Sequence, residues 1–292
     1  MKFRGHDTFY LRQGWLTKGL KSIDKDPHLF FEDKKIQTDY LGIGSVMTKA
    51  LRYWIEAFEL AETEHIDGSK RHIFTDFGKV LWRSDRYLQE ENTLWLLHYK
   101  LATSVERATA WYWLFNEFDV SEFTEDEFFR NIDFYSKKEA KVAEISLRGD
   151  FKCIIKTYLS KPEEFESNMF SPLSELNLIQ QSSRTKNAFS INKKPLPVSS
   201  EIVFYTLLDQ YYKSDYQNKS KEINIERFNS DKNNLAKIYR LNWNSINEHL
   251  DNLSKQGLIR VIRTAGLDVV NILYTGTPID YLTAVYNENE GK

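Results

Sequence analysis

Two stretches decide the fold: residues 44–71, GSVMTKALRYWIEAFELAETEHIDGSKR, and residues 242–270, NWNSINEHLDNLSKQGLIRVIRTAGLDVV. In the first, Met47, Leu51, Trp54 and Phe58 recur at helical spacing, with Ala50, Ile55 and Ala57 widening the stripe. Ser45, Thr48, Lys49 and Arg52 share the other face and can enter one groove together. A merely solvated polar face fits the helix equally well. What favours a working face is residues 65–75, where Asp67, Gly68 and Ser69 make a turn flanked by Lys70, Arg71 and strand-like Ile73 and Phe74.

The second stretch repeats the pattern. Ile246, Leu250 and Leu253 stripe a helix over residues 243–256 that stops at Gly257, suited to a left-handed cap. Strands over 258–263 and 269–274 surround Ala265 and Gly266. Upstream, a helix from Ser199 or Ser200 carries Phe204, Leu207, Leu208 and Tyr211, and another passes through Leu235 and Ile238. Helix, helix, helix, hairpin is the order of a winged helix-turn-helix, a module that most often reads DNA. The exposed face here is Asn244, Ser245, Asn247, Glu248, Asp251 and Asn252, polar but hardly basic. Phosphate contact is therefore expected from Lys255, Arg260 and Arg263, and protein docking is an equal alternative for this module.

The expected architecture is mainly α with short β hairpins, an α+β class: a winged-helix-like module over 1–84, a helical aromatic-rich middle over 85–180, a basic linker over 181–198 and a winged helix over 199–292. The linker expectation rests on Arg184, Lys186, Lys193 and Lys194 set among Ser, Asn and Pro with no acid nearby. Acidic runs at 122–127 and 163–166 read as solvated faces and helix N-termini.

With 292 residues, 41% hydrophobic and 14% aromatic, the chain can fill two or three cores. The lone Cys153 removes disulfides and cysteine-rich zinc sites, and reads as a small core residue. No run approaches the ~18 apolar residues of a membrane span. Lys2, Arg4, His6 and Asp7 are unlike a signal peptide, so a cytoplasmic location away from membranes is expected. The formal charge of −2 argues against a DNA binder unless positive charge is concentrated locally.

Three sets of residues are candidates for hydrolytic chemistry. His6 with Asp7, near Arg12 and Lys18, supplies a general base and phosphate-holding cations; helix capping by His6 and Asp7 is the alternative. Asp85, Glu90, Glu91 and His98 form a second set, read more readily as caps and a core histidine. Asp150 with Lys152 would share a face only on a strand, whereas Ile154, Ile155, Tyr158 and Leu159 continue at helical spacing. No phosphate-cradling glycine loop, nucleophile elbow or zinc set occurs, so no organic cofactor is expected.

The strings FRGHDTFYLRQGWLTKGL, LGIGSVMTKALRYW, LWLLHYKL, ATAWYWLFN, SLRGDFKCIIKTYL and SPLSELNLI span nearly the whole chain. They resemble a bacterial family encoded beside cysteine desulfurases and PAPS-reductase-like proteins in DNA phosphorothioate-modification and phage-defence clusters, of which the Ssp-type B component looks like a member. The resemblance implies an accessory DNA-handling role, with strand nicking before sulfur insertion and sulfur-transfer and PAPS-reductase-like proteins as partners; a nuclease of this kind would use a divalent metal such as Mg²⁺ to position water and offset phosphate charge. It marks His6, Asp7, Arg12, Trp15, Lys18 and Arg52 as matching positions without assigning catalysis or metal ligands to them. A winged-helix adaptor or transcriptional regulator of such a cluster is the alternative. A homodimer is a general expectation for winged-helix proteins.

Overall fold

The computed structural model describes residues 1–138, 141–159, 169–213, 222–264 and 267–290. The chain divides into two compact units, residues 1–196 and 197–292. Both combine helices with small antiparallel sheets, an α+β arrangement. Among the described residues, no helix is long and apolar enough to cross a membrane.

The first unit opens with helices α1 (Trp15–Lys25), α2 (Lys34–Leu41) and α3 (Ser45–Ala57). Asp33 caps α2 by accepting from the Lys35 N–H, and Gly42 ends it with φ 63°. With only Ile36, Tyr40 and Leu41 as large apolar residues, this helix shows little period in the sequence. α3 buries Ala50, Leu51, Trp54 and Ile55, with Leu51 and Ile55 closest to α1. Gly19 permits this approach, because a Cβ there would lie 2.5 Å from Ile55 Cδ1.

Strands β1 (Ala61–Ile66) and β2 (Ser69–Phe74) pair with Ile66 opposite Ser69, leaving Asp67 and Gly68 as a two-residue turn with φ 52° and 77°. Thr75 caps α4 (Asp76–Ser84) through the Gly78 N–H. Helices α5 (Glu91–Thr103) and α6 (Thr109–Asn116) are buried nearly all round, as expected for the aromatic-rich middle. Then follow β3 (Glu122–Thr124), α7 (Glu125–Ser136) with a capping box between Thr124 and Glu127, α8 (Glu144–Tyr158), β4 (Ile179–Gln181) and β5 (Ala188–Ile191). Cys153 is a buried core residue.

β5 corrects the expectation of a linker over 181–198. It is the central strand of the β3–β5–β4 sheet, and Phe189 packs edge-on against Phe151 of α8 at 5.8 Å. Its four residues are too few for alternation to stand out beside the basic residues around them.

The second unit runs α9 (Ser200–Lys213), β6 (Glu222–Asn224), α10 (Arg227–Ser230), α11 (Leu235–Tyr239), α12 (Trp243–Lys255), β7 (Ile259–Thr264), β8 (Leu267–Ile272) and α13 (Pro278–Glu290). β6 adds to the outer edge of the hairpin, giving the order β6–β8–β7. Gly257, with φ 73°, turns the chain from α12 into the hairpin. Ala265 and Gly266, like the acidic run 163–166, lie outside the described residues.

Candidate nucleic-acid interface

His6 is fully buried, and its partner is Asp150, 144 residues away, with 2.7 Å between Nε2 and Oδ1. The Thr8 N–H donates to Nδ1, so a neutral ring carries its proton on Nε2 and donates to the carboxylate. The Arg4 N–H donates to the same oxygen at 2.9 Å, while Oδ2 has no partner among the described residues. The ring stacks on Trp54 and meets Tyr53 and Trp111 edge-on. Burial raises the Asp150 carboxyl above its ordinary value, opposed by the His6 and Arg4 hydrogen bonds.

This geometry corrects the expected His6 and Asp7 pair. Asp7 belongs to a tight turn, with φ 46° and its N–H bonded to the Arg4 carbonyl, while His6 faces inward. Exposures of 0% and 1% for His6 and Asp150 leave no route for a phosphate to reach the pair. Arg12 is wedged 5.4 to 5.9 Å from the rings of Phe9, Tyr10 and Trp15, a packing role in place of the expected open phosphate contact.

The other two hydrolytic candidates dissolve into structural roles. Asp85 accepts from the Gln89 and Glu90 N–H groups, and His98 bonds the Tyr158 hydroxyl at 2.8 Å. On α8, Asp150 is buried and Lys152 is exposed, as a helix requires. Among the described residues, no three His, Cys, Asp or Glu side chains converge as ligands, so no residue here is assigned to Mg²⁺.

Along α3 the expected four-residue face separates. Lys49 is exposed and Ser45 half-buried. Thr48 is buried, its hydroxyl donating to the Gly44 carbonyl, so it cannot enter a groove. Arg52 donates to Glu56 at 3.0 Å and to Thr63 at 3.2 Å, and lies 4.3 Å over the Phe31 ring. His72 also meets Glu56, at 3.2 Å. Burial alone would raise the Glu56 carboxyl, but hydrogen bonds from His72, Arg52 and Thr63 hold it at about 2. Arg52 therefore ties the helix to its hairpin, where a free DNA ligand was expected.

On the hairpin, Lys70 is exposed, whereas Arg71 is half-buried opposite Glu64, its Nε unpartnered among the described residues. In the second unit Lys255 and Arg260 are exposed. Arg263 donates to Asn247 at 2.8 Å and approaches Asp251 at 3.8 Å, tying the β7–β8 hairpin to α12 across an exposed face. Such a surface pair contributes at most about 1 kcal/mol and can be exchanged for a phosphate.

Lys18 opens onto a cleft that sequence reasoning missed. Its walls are Gln13, Gly14, Thr17, Lys18, Lys21, Ser22, Lys25, Tyr40, Tyr87 and Gln89, around about 580 Å³. Three lysines at i, i+3 and i+7 were a legible signal; the tyrosines reach them only through the tertiary fold.

The family match spans residues 3–286. The chain belongs to the DUF4007 family, described as proteins of unknown function. The crystal structure of magnesium ion-bound SspB is similar, with a TM-score of 0.86 at 24% identity, covering 99% of this chain and 87% of that one. A second SspB crystal structure gives 0.84 at the same identity and coverage. At this identity the likeness shows a shared fold. No curated protein matches the chain.

Proposed function

We propose that this protein is a DNA-binding component of a bacterial phosphorothioate-modification and defence system, with a winged-helix module in each unit. The observation that carries this reading is the second unit's order, helix, strand, helices, hairpin, with β6 added to the hairpin edge. α3 followed by the β1–β2 hairpin repeats the helix and wing in the first unit. The full-length likeness to SspB supports the system, because the Ssp-type B component is the family member that the sequence resembles.

On this reading Ser45 and Lys49 approach a groove, Lys70 and Arg71 hold the flanking phosphate, and Lys255, Arg260 and Arg263 hold another. Strand nicking before sulfur insertion is the activity the resemblance adds, with sulfur-transfer and PAPS-reductase-like proteins as partners. Glu248 and Asp251, exposed on α12, favour a second reading in which the C-terminal module docks a protein instead.

A salt-titrated duplex-binding assay run beside supercoiled plasmid with and without Mg²⁺ or Mn²⁺ tests both. Lys49→Ala with Lys70→Ala should lower the salt slope by about 0.9 for each phosphate that no longer meets a lysine. An unchanged slope removes that helix and wing as the reader. Metal-dependent open circles support nicking; binding without cleavage leaves the adaptor or regulator.

A further inference from the structure

The cleft at Lys18 has a chemistry of its own. Lys18, Lys21 and Lys25 are all exposed along one face of α1, spanning about 10 Å at ~1.5 Å per residue. Lys18 spends one N–H on the Leu41 carbonyl at 3.1 Å, which anchors its ammonium at the rim beside Tyr40. Tyr40 is 50% exposed and Tyr87 is 68% exposed, high for rings in a chain that buries most of its aromatics. Thr17 donates to the Tyr87 carbonyl at 3.4 Å, linking that turn to α1. Among the described residues, no carboxylate lines the cleft. Another large cavity of the first unit, about 540 Å³, has Glu59, Glu62 and Glu106 in its walls and would repel phosphate.

We propose that this cleft holds a single DNA strand, with phosphates on Lys18, Lys21 and Lys25 and bases stacked on Tyr40 and Tyr87. Cations alone would serve a duplex equally well. The tyrosines decide the matter, because a duplex hides its base faces in the stack, whereas an unpaired strand offers them to aromatic rings. Gln13 and Gln89 add amides that accept or donate to whichever base edge is presented. The proposal rests on the DNA-handling reading above and narrows it to a strand type at a defined place, apart from the α3 helix and its hairpin.

The test is fluorescence anisotropy with a labelled oligothymidylate of about 12 nucleotides, within the usual footprint of such sites, and with a duplex of equal length. Tyr40→Ala with Tyr87→Ala should weaken single-strand binding roughly fivefold to a hundredfold for each base left unstacked, with duplex binding unchanged. Lys21→Ala with Lys25→Ala should reduce the single-strand salt slope by about 0.7 per lysine. Thermal melting checks that these surface variants stay folded. Single-strand affinity unmoved by both double variants overturns the proposal, as does a parallel fall for duplex and single strand in the tyrosine variant. Duplex binding is scored separately on Lys49 and Lys70. A responsive cleft with no duplex binding refutes the two-module reading and supports the cleft; an unresponsive cleft beside working modules does the reverse.

Discussion

Glu56 joins the helix α3 to its hairpin, and its replacement by Gln tests the strength of that joint. The carboxylate accepts from Arg52, His72 and Thr63, and its pKa stands at about 2 against an ordinary 4.5. At about 1.4 kcal/mol for each tenfold change in proton affinity, the difference amounts to about 3 kcal/mol. The side chain is 23% exposed, so water screens part of this and about 2 kcal/mol is expected. Because the folded value is depressed, the contribution is complete above the ordinary carboxylate range and disappears as pH falls from 4.5 towards 2. Urea unfolding of wild type and Glu56→Gln at several pH values measures it. Tryptophan fluorescence reports chiefly on the first unit, which holds six of the seven tryptophans, all but Trp243. The variant should be less stable by about 2 kcal/mol at pH 7, with the gap closing near pH 2. A gap that is constant across pH, or absent at pH 7, would refute the claim that an ionised Glu56 holds helix and hairpin together.

Three further outcomes follow from packing and charge. His6→Ala should cost about 3 to 5 kcal/mol, because it strands the Asp150 carboxylate in a buried site; a stable but inactive variant would argue for chemistry at His6 instead. Asp150→Asn keeps an oxygen for the Arg4 and His6 donors and should unfold at a denaturant concentration closer to wild type than His6→Ala does. Gly78→Ala places a Cβ against the Leu60 backbone carbonyl, which cannot move without disturbing the strand it precedes, so a loss of more than about 2 kcal/mol or failure to fold is expected in thermal melts.

Local pattern alone determined much of this protein. The stripe of Leu51, Trp54 and Ile55 identified α3, the Asp67–Gly68 pair identified its hairpin, and Gly257 marked the end of α12, since each depends on periodicity or backbone preference within a few residues. The helical spacing after Asp150 correctly separated it from Lys152. What that spacing could not reveal is that Asp150 turns inward to meet His6, because the contact crosses 144 positions and is set by the packing of Trp54 and Trp111 around the ring. The same limit applies to the polar face of α3. Thr48 and Arg52 look as available as Lys49 until the preceding turn buries the first and Glu56, Thr63 and Phe31 engage the second. β5 was hidden among lysines because a four-residue strand gains its stability from two neighbours that sequence does not display. The basic cleft is the clearest division: the three lysines were already spaced along one helix, but only the tertiary structure brought Tyr40 and Tyr87 beside them, since long-range burial decides which surfaces meet.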